Sequence, residues 1–184
     1  MPSTPRYKIP FIGSIIITII TAILLLIFGA QGNKTGYDFS SYKDENYLVN
    51  SVTDGDTLNV SLNGNTESVR LIGIDTPEMD STDAYTACVA QAAKARMQAL
   101  AGQHYIALMD DMTQTNRDNY KRLLRYVIDD QAVDIGKQLL LEGLAEEYTY
   151  KTDYTNKAEY VAAQKTAKLN KTGMWGTELC AAYK

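Results

Sequence analysis

The run Thr57-Leu58-Asn59-Val60-Ser61-Leu62-Asn63-Gly64-Asn65-Thr66-Glu67-Ser68-Val69-Arg70-Leu71-Ile72-Gly73-Ile74 reads as a β-hairpin. Leu58, Val60 and Leu62 alternate with polar residues, the period of a half-buried strand over Thr57–Leu62. Asn63-Gly64 supplies the two-residue type I′ turn that best matches strand twist. Glu67–Ile74 returns as a second strand carrying Val69, Leu71 and Ile74. Upstream, Tyr47–Thr53 is a strand ending at Asp54-Gly55. These make a three-stranded antiparallel meander with an acidic turn at each end, Asp54-Gly55-Asp56-Thr57 and Asp75-Thr76-Pro77-Glu78.

Further along, a helix is expected over Ala84–Leu100, capped by Thr82 or Asp83 and stopped by Gly102. Tyr105–Met109 is a fourth strand, Asp110–Arg122 a polar loop, and Leu123–Ile128 a fifth strand. A short helix over Asp134–Glu142 turns Ile135, Leu139 and Leu140 inward, and a last helix covers Asn156–Leu169. Five short strands with about three helices predict an α+β domain built on a small barrel.

Composition narrows the class. The 184 residues are 45% hydrophobic and 22% charged, which excludes a collagen-like or disordered chain. One histidine, His104, excludes zinc sites built on several histidines. Two cysteines allow at most one internal bridge, so a disulfide-dense miniprotein is also excluded.

The charges are unevenly spread. No charged residue lies between Lys8 and Lys34, and Phe11–Ala30 is mostly Ile, Leu, Phe, Ala and Thr. Twenty residues of helix span roughly 30 Å, a bilayer's hydrocarbon core. Residues 1–32 are therefore expected to be a membrane anchor or a signal peptide. Arg6 and Lys8 precede the apolar run, so the positive-inside rule puts the N-terminus in the cytoplasm and the rest outside. Ala30 and Gly32 suit a signal-peptidase cut after Gly32, whereas the length of the run suits a retained anchor. Residues 33–46 are polar and turn-rich, a flexible linker to a domain over 47–176, with 177–184 as a tail. Without residues 1–32 the chain keeps 16 Lys+Arg against 22 Asp+Glu, net −6.

The chemistry is read from the two acidic turns. The hairpin makes their strands neighbours, so Asp56 and Asp75 meet at one sheet edge with Asp54 and Glu78 nearby. Carboxylates gathered in one place need a positive partner, and a hard divalent ion such as Ca²⁺ or Mg²⁺ suits an all-oxygen set. Arg70 lies five positions before Asp75, which puts the two on opposite faces of a regular strand unless the backbone bends. Arg117, Lys121, Arg122 and Arg125 add cations, with Asp118 among them. Metal, guanidinium forks and a carboxylate are what phosphodiester hydrolysis requires.

On these residues the chain resembles the staphylococcal nuclease (thermonuclease) family. The matching stretches are Asp54-Gly55-Asp56-Thr57, Arg70 through Glu78, Arg117-Asp118-Asn119-Tyr120-Lys121-Arg122, Gly143-Leu144-Ala145, Tyr148 with Tyr150, and Gly173-Met174-Trp175. The resemblance implies an OB-fold five-stranded β-barrel with packed helices. It also implies Ca²⁺ held by Asp56, Asp75 and the carbonyl of Thr76, with Asp54 supporting from behind. Glu78 falls at the general-base position, Arg70 and Arg122 at the two phosphate-binding arginines, and Tyr120, Tyr148 and Tyr150 at the nucleotide pocket. The family cleaves the 5′ P–O bond of DNA and RNA, leaving 3′-phosphates, mostly on single-stranded or breathing substrate.

This sequence departs from the pattern at Asp80, Asp83 and Asn119, which stand where the best-known member has lysines. Weaker, less processive nucleic-acid binding is expected, because polyanion affinity comes largely from Lys and Arg. The cluster Arg117–Arg125 with Lys165, Lys168 and Lys171 offers a local basic path or simply a solvated face.

Cys88 and Cys180, 92 positions apart, either form a disulfide or remain two buried thiols. An exported domain permits the bridge, and the chain-entropy model puts its contribution at about 4–5 kcal/mol. The expected protein is a monomeric, calcium-dependent extracytoplasmic nuclease acting on DNA and RNA, either held at the membrane or secreted. The alternative is a catalytically inactive OB-fold module that binds single strands or a protein partner.

Overall fold

The computed structural model describes residues 46–183. The apolar segment within 1–32 and nearly all of the linker lie outside the described residues. Among the described residues no helix is long and apolar enough to cross a membrane.

Three antiparallel strands come first: β1 (Asn46–Val52), β2 (Thr57–Leu62) and β3 (Asn65–Leu71). Asn63 and Gly64 both have positive φ, 51° and 78°, as the type I′ turn requires. The meander expected from the sequence is therefore present. β5 (Tyr105–Met109) and β6 (Leu123–Ile128) complete a closed barrel in the order β1-β2-β3-β6-β5. A register shift between Val49 and Ser51 bends β1, so that its first half pairs with β5 and its second half with β2. Closure needs one parallel pairing, β3 with β6, where Val69 faces Leu123 and Arg70 faces Leu124.

One expectation is corrected. The strand read as Glu67–Ile74 stops at Leu71, the chain turns, and Ile74–Asp75 forms a separate two-residue strand, β4. β4 pairs with an equally short β7 (Glu146–Glu147), outside the barrel. The cause is Gly73, whose φ of +80° leaves the strand region.

The helices are α1 (Ala84–Ala101), α2 (Ile135–Leu141) and α3 (Lys157–Asn170). Asp83 is the α1 cap, accepting from the backbone N–H of Thr86 at 2.8 Å, and Asp134 caps α2 through Lys137. Val89, Ala93 and Met97 of α1 pack onto the core formed by Leu58, Val60, Val69, Ile106 and Val127. Tyr126, Tyr154 and Tyr160 form a buried aromatic cluster with edge-on contacts. Cys88 and Cys180 are disulfide-bonded, tying the chain's end to α1.

Candidate active site

Asp56 sits at the junction of β2 with the preceding turn and is 6% exposed. The turn exists because Asp54 Oδ1 accepts from the backbone N–H of Asp56 at 3.0 Å. Gly55 is required for a different reason. A Cβ there would lie 2.7 Å from Ala93 of α1 and 2.8 Å from Thr76, so only glycine lets the turn press against both. Thr76 in return donates to Asp56 Oδ2 from its backbone N–H (2.8 Å) and its hydroxyl (2.9 Å).

Arg70 leaves β3 opposite Thr57 and lies between two carboxylates. Its Nη1 is 2.6 Å from Asp56 Oδ1 and its Nη2 donates to Asp75 Oδ1 at 2.6 Å. The five-residue offset is resolved by Gly73, whose positive φ turns the chain and brings Asp75 back to Arg70. Gly73 is itself walled in: a Cβ would meet the Tyr154 ring at 2.6 Å and Tyr160 at 2.9 Å. Its carbonyl accepts from the backbone N–H of Tyr148 at 3.0 Å, and Tyr154 Oη donates to Glu147 Oε1 at 3.1 Å. The aromatic cluster therefore fixes the turn that joins Arg70 to Asp75.

Arg122 arrives from the loop before β6. Its Nε donates to Asp118 Oδ2 at 2.7 Å, and Asp118 Oδ1 accepts from the backbone N–H groups of Tyr120 and Arg122. Arg122 Nη1 reaches Thr57 Oγ1 at 3.3 Å, and Thr57 donates to Asp56 Oδ1 at 3.0 Å. Both arginines thus converge on Asp56. Thr57 and Asp118 were legible only as parts of motifs, and nothing in the sequence signals that they orient Arg122.

Glu78 is exposed, and its carboxylate makes no hydrogen bond or ion pair among the described residues. Partial burial, with the negative charges of Asp56, Asp54 and Asp75, pushes it above the ordinary carboxylate range. Burial also raises Asp54, with repulsion from Asp56. Asp75 is raised by burial as well, in spite of Arg70. The cluster holds more negative charge than Arg70 neutralises.

Whether the site suits a cation is answered by its donor set. Among the described residues no three Asp, Glu, His or Cys groups form a ready-made metal cage. Instead the Arg70 guanidinium stands where one cation bridges Asp56 and Asp75. Its Nη1 is buried and, though ion-paired with Asp56, meets no acceptor in hydrogen-bonding geometry. Two convergent carboxylates, further carboxylates short of positive charge, and no nitrogen or sulfur ligand fit a hard divalent ion.

The tyrosines lie beside this cluster on the exposed surface. Tyr120, Tyr148 and Tyr150 are 82%, 44% and 63% exposed. Tyr148 and Tyr150 have ring centroids 6.4 Å apart, Arg122 lies over the Tyr120 ring at 5.4 Å, and Lys151 over Tyr150 at 5.2 Å. The basic path is weaker than its charge count suggests. Arg117 pairs with Glu67 at 2.7 Å and also donates to the Lys121 carbonyl, while Arg125 bonds Asn116. These side chains hold the 113–122 loop against the barrel.

A five-stranded barrel that gathers carboxylates from adjoining turns with one arginine from a strand and another from a loop defines a nuclease-type site on an OB-like scaffold. The staphylococcal nuclease homologue family model matches residues 68–177, and the chain belongs to that family. It is 31% identical over 157 residues to a thermonuclease of Staphylococcus intermedius, covering 84% of this chain and 91% of that protein. A thermonuclease of Staphylococcus hyicus is 27% identical over 163 residues, with coverages of 87% and 95%. An SPbeta prophage-derived endonuclease of Bacillus subtilis, YokF, is 33% identical over 129 residues, covering 69% of this chain and 43% of that protein.

Proposed function

We propose that this protein is a calcium-dependent extracytoplasmic nuclease that hydrolyses phosphodiester bonds of DNA and RNA and leaves 3′-phosphates. The observation that carries the reading is the convergence of Arg70 and Arg122 on Asp56, beside Asp75 and an unpaired Glu78. Asp56, Asp75 and the Thr76 carbonyl would hold Ca²⁺. When bound, the ion supplies positive charge that polarises a phosphate oxygen.

The chain's own groups do the rest. Arg70 and Arg122 present guanidinium forks to the phosphate and neutralise charge that builds on its oxygens in the transition state. Asp118 and Thr57 hold Arg122 so that its fork needs no reorganisation. Glu78 takes a proton from the attacking water at its carboxylate, which its raised proton affinity favours. Tyr120, Tyr148 and Tyr150 offer ring faces to the sugar and base of the nucleotide that leaves through its 5′ oxygen.

The placement outside the cytoplasm rests on the apolar run Phe11–Ala30 and the basic residues before it, with the chain either anchored or cut after Gly32. The Cys88–Cys180 bridge supports an oxidising compartment.

The test is hydrolysis of single-stranded DNA and RNA by the full-length chain, in Ca²⁺, Mg²⁺ and chelator, beside Glu78→Ala and Arg122→Ala. Calcium-dependent cleavage lost in both variants supports the proposal. A folded chain that binds single strands in calcium and cuts none overturns it in favour of a binding module.

A further inference from the structure

Arg122 serves a phosphate only if the loop that carries it keeps a fixed angle to the barrel. That loop is a tight hairpin. Arg117 bridges Leu123, the Asp118 N–H donates to the Arg122 carbonyl at 3.0 Å, and the Lys121 N–H donates to the Asp118 carbonyl at 3.1 Å. The bonds that the Asp118 carboxylate accepts, from the N–H groups of Tyr120 and Arg122 and from Arg122 Nε, stay inside this hairpin. They set Arg122 relative to its own loop and would survive if the whole loop swung away from the barrel.

A separate contact crosses to the barrel. Arg117 Nη1 donates to Glu67 Oε2 of β3 at 2.7 Å, and the same nitrogen donates to the Lys121 carbonyl at 2.7 Å. The bond from Arg117 holds Glu67 below the ordinary carboxylate range, so the anchor stays ionised. At the other end Lys121 has φ +71°, the left-handed region that residues with a Cβ rarely enter. The peptide joining Lys121 to Arg122 is therefore held from both sides, its carbonyl by Arg117 and its N–H by Asp118 at 2.9 Å. Freed at the carbonyl, Lys121 gains by returning to negative φ, which turns that peptide and carries the Arg122 guanidinium away from Thr57.

We propose that Arg117, anchored by Glu67, is a positioning residue that locks the left-handed turn at Lys121 and so aims Arg122 at the phosphate. Arg117 itself touches no substrate. The role rests on the nuclease reading above.

The experiment measures cleavage of one defined single-stranded oligonucleotide by the full-length chain in Ca²⁺. It compares the native protein with Arg117→Ala, Arg117→Lys, Glu67→Ala, Lys121→Gly and the double variant Arg117→Ala/Lys121→Gly. Glycine adopts positive φ without steric cost, so Lys121→Gly removes the need for the grip. Arg117→Ala is expected to lower kcat by about ten- to a hundredfold while KM stays within about twofold. Arg117→Lys, which keeps a donor, loses less. In the Lys121→Gly background the same Arg117→Ala change costs less than about threefold. Glu67→Ala cuts the grip at its far end and lowers kcat in the same sense, which decides the matter should Arg117→Ala fail to fold. Amide hydrogen exchange in chelator is the readout independent of turnover: Arg117→Ala speeds exchange at Arg122 and leaves β2 protected. An unchanged kcat in Arg117→Ala, or a loss that persists in full beside Lys121→Gly, overturns the role and leaves the nuclease standing. A raised KM with a shallower salt dependence of binding also overturns it, because Arg117 is then a phosphate contact. No cleavage by the native chain overturns the nuclease reading, and this role with it.

Discussion

Arg70 and Asp75 lie five positions apart in the chain and 2.6 Å apart in space, joined across a turn whose pivot is Gly73 at φ +80°. A regular strand would have sent their side chains to opposite faces. Gly73→Ala places a Cβ into the Tyr154 ring and a side chain in the left-handed region. It is expected to cost about 1–3 kcal/mol of stability and to weaken calcium binding. Chemical denaturation and a calcium titration of the folded protein measure the two effects separately.

Glu78 has no partner to leave stranded, so Glu78→Gln is expected to preserve stability while lowering kcat by about 10²–10⁴-fold. Thr57→Val is the subtler change. It removes the hydroxyl between Arg122 and Asp56 and is expected to lower kcat with little effect on KM. Steady-state kinetics on one defined oligonucleotide distinguish these outcomes from a general loss of folding.

Asp111 gives the clearest pH prediction. It is 5% exposed, and burial alone would raise its pKa, yet bonds from Tyr126, Thr155 and Thr113 bring it down to about 2. The native carboxylate therefore binds a proton less readily than the unfolded one. Stability from this group is complete above about pH 4 and is lost as the pH falls towards 2, about 2 kcal/mol in all. Urea melts should show the native protein losing stability between pH 4 and 2 more steeply than Asp111→Asn, whose deficit is largest near neutrality.

Reduction of Cys88–Cys180 should lower stability by about 4–5 kcal/mol, since the bridge closes a loop of 92 positions. Thermal melts with and without reductant, beside the double variant Cys88→Ser/Cys180→Ser, check this. Reductant should leave the double variant unchanged.

Binding to single-stranded DNA should depend only shallowly on salt. Arg117 already holds Glu67, so it adds little to counterion release beyond Arg70 and Arg122 at the site. The slope of log affinity against log salt measures the number engaged, and Arg117→Ala should barely alter it.

The meander, the I′ turn and the capped helices were legible because each rests on a local pattern: alternation at Leu58, Val60 and Leu62, paired positive-φ residues at Asn63-Gly64, and a carboxylate at Asp83 or Asp134. The acidic turns were legible for the same reason. β4 and β7 were not, since two residues carry no period and their pairing is decided about seventy positions apart. The partners of the basic loop were not legible because sequence counts charges without showing what they pair with, and Glu67 lies fifty positions from Arg117. Tyr154 and Tyr160 read as ordinary aromatic residues, and only the packed turn shows that they hold Gly73 in place.

The parallel pairing of β3 with β6 has a consequence for when the protein becomes dangerous to nucleic acid. Arg70 and its carboxylate partners come from the early hairpin and the segment just after it, but Arg122 reaches Thr57 only when β6 docks alongside β3. A chain whose hairpin has formed but whose β6 has not docked has Arg70 beside Asp56 and lacks Arg122 at Thr57. The cell that makes such a chain is protected by topology for as long as the barrel stays open, and recovered cleavage during refolding would time the closing of the last seam.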